Sequence, residues 1–512
     1  MKTAYIHADL FKKKADAFIV EDGRFHSFGK ASAILKKDID RIVDLKDAKV
    51  LPGFHDAHMH LLGTGMTFSM YDASRPASIE EMQRELKAHA DGVPYLLGRG
   101  FHEERLDEKR SIEKQDLDAV STSVPILITR ACGHLIVANQ AAIDRLEKPV
   151  PSELEADVDL KKGFFKEEAR PWIKSVLPPS DIETLKRDIL AAQDALLERG
   201  ITAVGSDDFA VTTAPYELVL DAFKALHAKG ELKLRVYEQV NLPLDTMEEF
   251  LQKGYGEFTA GRFRSGPLKR FIDGSLGART ALLRAPYEDA DTYGTEVQGF
   301  SELKRLFTLA SSHEKDVAVH AIGDMAVERF LDAAEASPHR KHPRHAIIHA
   351  QLADHTQIER MRLNGIGAQV QPVFIRSDIS IAEARLGERL KDAYLFETMR
   401  QRVPTALSTD APIEPCDPLL NLYIASTRSP GYNDRKTLVP EEAMPLPEAI
   451  ESYTAVSAYF SRQEDMLGAL ERGQSADFVV VEGLDTDNPE TIARAKVRET
   501  YIAGEAVFSE WT

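Results

Sequence analysis

Two histidines two positions apart, His58 and His60, close the stretch "LPGFHDAHMH" at residues 51–60. On a β-strand alternate residues share a face, so both imidazoles point to one side, as in a chelate. A lone His-x-His in a chain with 16 histidines is also what chance supplies, and the remaining ligands must come from elsewhere. Ligand-forming types recur where apolar runs end: Lys269 lies in "LKRFIDG", His320 ends "DVAVH", His349 ends "HAIIH" and Asp410 ends "TALSTD". Singly, each has an ordinary reading, a hydrogen-bonded core histidine or an aspartate capping the turn into "APIEP". Together they point to a metal centre.

A barrel would gather such residues into one place. From about residue 180 to 459 the sequence alternates helical and strand patterns. Ser180 and Glu183 read as a capping box, and Ile182, Leu185, Ile189, Ala192 and Leu196 recur at helical spacing up to Gly200, a C′ stop. "ITAVGS" follows as a buried strand. Further short apolar runs appear in "KLRVYEQV", "LKRFIDG", "DVAVHAIG", "HAIIHAQ", "GIGAQVQP" and "VPTALSTD", with amphipathic helices such as "DMAVERFLDAAEAS" between most of them. This alternation implies a parallel sheet, and with the His58 strand the count reaches eight. Eight strands, with no Gly-rich phosphate turn after the first, favour a TIM (β/α)8 barrel over a doubly wound sheet.

Both ends of the chain read as β-structure. Asp22-Gly23 in "AFIVEDGRFHSFG" is a hairpin signal, and "ADFVVVEG" and "KVRETYIAGEAVFSE" have the same character, the latter broken at Gly504. Neither end builds a stable sheet alone, so residues 1–50 and 461–512 are expected to pair into one small β-sandwich domain, with the barrel of residues 51–460 between them. The hundred or so residues after the first strand exceed what a barrel needs. With strands of their own in "VPYLLGRGF" and "VPILITRACGHLIVAN", residues 66–179 are expected to form an inserted subdomain over the barrel mouth.

Composition narrows the partners. Lys and Arg total 64 against 82 for Asp and Glu, and the formal charge of −18 repels nucleic acid and anionic lipid. The amino terminus lacks an apolar core of signal-peptide length, and no apolar run is long enough to span a bilayer. Only Cys132 and Cys416 are present, without a CxxC, which fits reduced thiols. The expectation is a soluble, cytoplasmic protein acting on a small molecule, with no nucleic-acid or membrane partner; a homodimer is compatible with its acidic surface.

The motifs "PGFHDAHMH", a strand lysine followed by "DGSLGARTALL", "VAVHAIGDMAVERFL", "IIHAQ", "STDAP" and the tail "GQSADFVVV" with "TYIAGE" resemble the amidohydrolase superfamily, and within it the family 3 (YtcJ-like) group. The resemblance spans nearly the whole chain. It implies a distorted barrel with a small β-sandwich and divalent metal, usually zinc, at the mouth. It further implies His58, His60 and Asp410 around a first ion, His320 and His349 on a second, and Lys269 carboxylated by carbon dioxide to bridge them. An ammonium group cannot ligate a cation, whereas a carbamate offers two anionic oxygens; an uncarboxylated Lys269 would mean one ion or none. Lys269, Phe271 and Asp273 would share a strand face, so Arg270 must snorkel from the helix side unless the strand ends early.

The same resemblance singles out His134 and Asn139 in "RACGHLIVANQAAI" and Glu167 in "GFFKEEA" as substrate-side residues, with a loop anchor and a solvated surface charge as their ordinary alternatives. Arg279 in "GARTALL" would receive an anionic substrate group or form a plain ion pair. His55 stands where an aliphatic residue is usual, and Phe101 and His102 stand where Trp and an acidic or amide residue are usual, departures that weigh against borrowing a substrate preference. The reading is a metal-dependent hydrolase of a carbon–nitrogen bond other than a peptide bond, in an amide, N-formyl or cyclic amide. Metal-activated hydroxide would attack, with Asp410 as general base and then acid. Deamination or ester cleavage at the same centre is the rival reaction, and phosphate-ester cleavage a more distant one. A metal-binding relative without turnover is the rival class, disfavoured because binding alone needs no proton-transfer carboxylate.

Overall fold

Eight parallel strands, with a two-residue ninth, Thr259–Ala260, added antiparallel to one of them, form one sheet in the computed structural model, which describes residues 1–510 apart from 91, 131, 132, 134, 167, 168, 339 and 340. In chain order they are β1 (Phe54–Met59), β2 (Ile201–Ser206), β3 (Arg235–Val240), β4 (Phe263–Phe271), β5 (Val317–Ala321), β6 (Ala346–His349), β7 (Gly367–Val370) and β8 (Thr405–Leu407). Each pairs with its sequence neighbour in parallel. Several of these strands are buried along their whole length on both faces, and most read as short, mainly apolar runs. The ring closes where the chain leaves β8 and β1: His60 N donates to Ala411 O at 2.8 Å, and Asp410 N donates to His58 O at 2.9 Å. The expected distorted (β/α)8 barrel is the observed fold.

Small residues let the ring close. Ala57, Ala346 and Ala406, from β1, β6 and β8, pack together with Phe460. A Cβ on Gly205 of β2 would lie 2.3 Å from the carbonyl oxygen of Ala57, so only glycine lets β1 and β2 approach as they do. The helix Ile182–Glu198 precedes β2 and is followed by Gly200 at φ +82°, as expected. Its cap is displaced by one residue from the expected Ser180–Glu183 box: Asp181 Oδ1 accepts from Thr184 N at 2.8 Å, because the helix begins at Ile182.

The two chain ends meet in a seven-stranded sheet ordered Glu505–Ser509, Lys496–Ile502, Phe478–Glu482, Arg41–Pro52, Lys2–Leu10, Ala17–Glu21 and Arg24–Gly29. Three strand steps separate Tyr5 from Tyr501, roughly 14 Å at the usual strand spacing. Their ring centroids are nonetheless 5.4 Å apart, and Phe478 lies 5.2 Å from both Tyr5 and Phe18. The sheet therefore curls over an aromatic core so that its halves face each other. Both hairpin signals turn through left-handed pairs, Asp22 and Gly23 at φ 49° and 75°, Ala503 and Gly504 at φ 51° and 74°.

The chain divides into two compact units, Met1–Gly63 with Ile189–Thr512, and Thr64–Asp188. The second has its own six-stranded sheet, part parallel and part antiparallel, and a core that includes Leu86, Leu96, Phe101, Ile126 and Val137. Among the described residues no helix is long and apolar enough to cross a membrane. Gly205→Ala is expected to cost at least ~1–3 kcal/mol, since overpacking here meets backbone and not a movable side chain. Thermal melting beside wild type checks this, with a lowered melting temperature as the expected result.

Candidate metal centre

Strand ends carry the polar residues. His58 lies on β1 and His60 just beyond it, while Asp410 follows β8. Asp410 Oδ1 lies 3.3 Å from His58 Nε2 and 3.2 Å from His60 Nε2, and the three residues offer donor atoms within 4.8 Å of one another. Yet Oδ1 is buried and makes no hydrogen bond. Three donors converging on one point, with the anionic one held by no hydrogen bond, is an arrangement a cation would satisfy.

The other expected ligands adjoin this group. The His349 ring centroid is 5.9 Å from that of His58 and 4.4 Å from that of His320. Lys269, fully buried, has its Nζ 3.8 Å from the ring centroid of Phe271, whose ring is 4.9 Å from that of His320. One nitrogen of every ring is already engaged. His58 Nδ1 meets Gln239 Oε1 at 2.7 Å, His60 Nδ1 meets Asp207 O at 2.7 Å, and His349 Nδ1 meets Gln371 Oε1 at 2.6 Å. His320 is turned the other way, its Nε2 donating to Gly274 O at 2.9 Å, which leaves Nδ1 as its free ligand atom.

Burial and charge act differently on the members of this group. Burial alone would raise the Asp410 carboxyl, but His58 and His60 outweigh it and hold it well below the usual carboxylate range. Burial opposes charge on His60, yet Asp410 and Asp207 raise that ring to about 9. Desolvation pulls His349 down to about 3 and lowers His58 and His320, so these rings keep a lone pair for a ligand. It also pulls Lys269 down to about 8. Three residues of the site hold left-handed backbone: His349, Ala350 and Asp410 sit at φ 74°, 45° and 57°. Non-glycine residues hold such conformations at a cost of ~1–3 kcal/mol each, and functional sites are where they cluster.

Other expected residues have different employment. Asn139 is fully buried and caps the helix Gln140–Ile143, accepting from Ala142 N and Ile126 N while its amide donates to Ser121 O and Val124 O. With its hydrogen-bonding capacity spent on backbone, it is a loop anchor and not a substrate contact. Arg279 forms a two-pronged ion pair with Asp289 at 2.9 Å, the plain ion pair that was its ordinary alternative. His134 and Glu167 lie outside the described residues. His55 is a buried neutral ring with Nδ1 unpartnered, which desolvation pulls down to about 3. Arg270 does snorkel: Nη1 donates to Leu242 O at 3.0 Å, at a surface cleft shared with Ser301, Glu302 and Arg305.

Several supporting residues were missed from the sequence. Asp56 accepts from Thr409 Oγ1 at 2.7 Å, Thr409 N at 3.1 Å and Tyr453 OH at 2.8 Å, clamping the end of β8 to β1. Asp273 accepts from Leu282 N, Ile322 N and Gly323 N, tying the end of β4 to the turn after His320. Gln239 and Gln371 place their amide oxygens against His58 Nδ1 and His349 Nδ1. Their signal was present in "KLRVYEQV" and "GAQVQP", where polar residues interrupt otherwise apolar strands.

Comparison with known proteins agrees with this geometry. Residues 41–508 match the model of the amidohydrolase family, the one labelled family 3. YtcJ of Bacillus subtilis (strain 168), named as an amidohydrolase, is 30% identical, covering 97% of this chain and 96% of its own. The N-substituted formamide deformylase of Arthrobacter pascens is 25% identical over 96% of this chain and 94% of its own. A solved metal-dependent hydrolase from Pyrococcus horikoshii OT3, itself uncharacterized, superposes with a TM-score of 0.83 at 31% identity, over 96% of this chain and 98% of that one. The chain belongs to the amidohydrolase family, whose YtcJ-like members it resembles from end to end, and is a metal-dependent hydrolase.

Proposed function

We propose that the chain hydrolyses a carbon–nitrogen bond other than a peptide bond, in a small N-formyl compound, simple amide or cyclic amide, with Asp410 as the proton-transfer group. The observation that carries this reading is the buried, unpartnered Asp410 oxygen facing two imidazole nitrogens at 3.2 and 3.3 Å. The named activity of the Arthrobacter relative supports the N-formyl case.

His58, His60 and Asp410 would hold one divalent ion, for which zinc suits the nitrogen and oxygen donors. His320 through Nδ1, His349 through Nε2 and Lys269 as a carbamate would hold a second. Such an ion supplies Lewis acidity toward the scissile carbonyl and acidifies a coordinated water to near neutrality. Asp410 takes a proton from the attacking water as the new carbon–oxygen bond forms. When the carbon–nitrogen bond breaks, the same carboxyl returns that proton to the departing nitrogen and ends the cycle ionised. Lys269 reaches the carbamate form when its neutral amine attacks carbon dioxide and releases one proton. Burial favours that step, because a lysine lowered to about 8 is neutral more often than an exposed one.

Two measurements test this. Asp410→Asn is expected to lower turnover of N-formyl or amide substrates by ~10²–10⁴-fold while most bound metal is retained; parallel loss of metal and activity would make Asp410 a ligand only. In elemental analysis, wild type is expected to carry about two ions per chain and Lys269→Ala clearly fewer. One ion in both would remove the bridging role, and none in either would overturn the metal centre.

A further inference from the structure

We propose that Gln239 and Gln371 are positioning residues that set which ring nitrogen His58 and His349 present to a cation, an inference that rests on the metal-centre reading above. Both glutamines are buried, as is Gln369 between them. The two ends of an amide are told apart by their partners. Gln239 Nε2 lies 3.1 Å from Ala57 O, and a backbone carbonyl can only accept, so the amide nitrogen faces that way. Its oxygen then faces His58 Nδ1 at 2.7 Å, and Nδ1 must carry the hydrogen. A neutral imidazole has one N–H, so Nε2 keeps its lone pair, and Nε2 is the atom beside Asp410.

The same logic runs through Gln371. Its Nε2 donates to Gln369 O at 3.0 Å and to Ser408 Oγ at 2.7 Å, and the hydroxyl is free to donate onward to Val370 O at 3.2 Å. Its oxygen therefore accepts from His349 Nδ1 at 2.6 Å. The remaining N–H of Gln239 reaches Gln369 Oε1 at 3.2 Å, joining the two halves into one buried amide network under the site. Fixed carbonyls of β1 and β7 thus decide the tautomers of two histidines. A neutral amide does this without adding negative charge beside Asp207 and Asp410, as a carboxylate would. His60 and His320 are set by the backbone carbonyls of Asp207 and Gly274, which no side-chain change removes, so the glutamines are where the device can be tested.

The test uses Gln239→Met and Gln371→Met, which keep length and volume and lose the acceptor. Gln193→Met is the control, since Gln193 is equally buried but serves the backbone of Glu231, Lys233 and Leu234. Zinc affinity of the chelator-stripped full chain is measured by competition with a chromophoric chelator, beside ring-nitrogen NMR of histidine-labelled protein. Each site variant is expected to bind zinc ~10–100-fold more weakly and to lose the single Nδ1–H tautomer at its histidine, while Gln193→Met binds as wild type. Wild-type affinity in both site variants overturns the proposal. Should neither variant fold, an Nε2–H tautomer at His58 or His349 in stripped wild type overturns it equally. A wild type that takes up no zinc, cobalt or manganese overturns the metal-centre reading instead, and this proposal with it.

Discussion

Closure of the barrel between its first and last strands is the constraint on which the site depends. His58 and His60 come from the start of the barrel and Asp410 from its end, and backbone bonds between 58 and 410 and between 60 and 411 hold them together. Asp56 reinforces the seam by accepting from both backbone and side chain of Thr409 and from Tyr453. A carboxylate so deeply buried is tolerable because its acceptors are filled. Asp410 is the opposite case: one oxygen remains unsatisfied between two imidazoles.

That contrast locates function energetically. An unmet buried acceptor costs ~1–3 kcal/mol, as does each left-handed residue at His349, Ala350 and Asp410. At this site the costs add up in adjoining residues, and the apolar packing of the barrel around them offsets them. The imidazoles, by contrast, are inexpensive to hold in place. Each has one nitrogen satisfied by a carbonyl or amide oxygen, so orientation is settled before any ligand arrives and the second nitrogen is left for it.

Much of this was legible from local patterns. Seven of the barrel strands were legible as short apolar runs and the first as the strand of its His-x-His, since strands buried on both faces are mostly apolar. The Asp22-Gly23 and Gly504 turns were read because so few residues accept positive φ. The six central candidates stood out as ligand types at strand ends. Boundaries were less secure: the cap of the helix before β2 moved from Ser180 to Asp181, because neighbouring Ser and Asp residues both satisfy a capping rule and only the exact helix start distinguishes them.

Roles that depend on a distant partner were another matter. For Asn139 the sequence allows a substrate-side residue or a loop anchor, and for Arg279 an anion receptor or a plain ion pair; the helix cap and the Asp289 pair are visible only in the fold, because a polar side chain's employment depends on what is brought beside it. The roles of Asp56, Asp273, Gln239 and Gln371 were not legible locally, even where a polar residue in an apolar run marked the position, since their partners lie on other strands or loops. The sequence by itself determined which residues are able to bind a cation and which segments carry them to the strand ends, since ligand chemistry and hydrophobic period are local properties. Only the tertiary structure decided which oxygen stays unpartnered and which ring nitrogen is left free, because hydrogen-bond satisfaction is settled by contacts across the closed barrel.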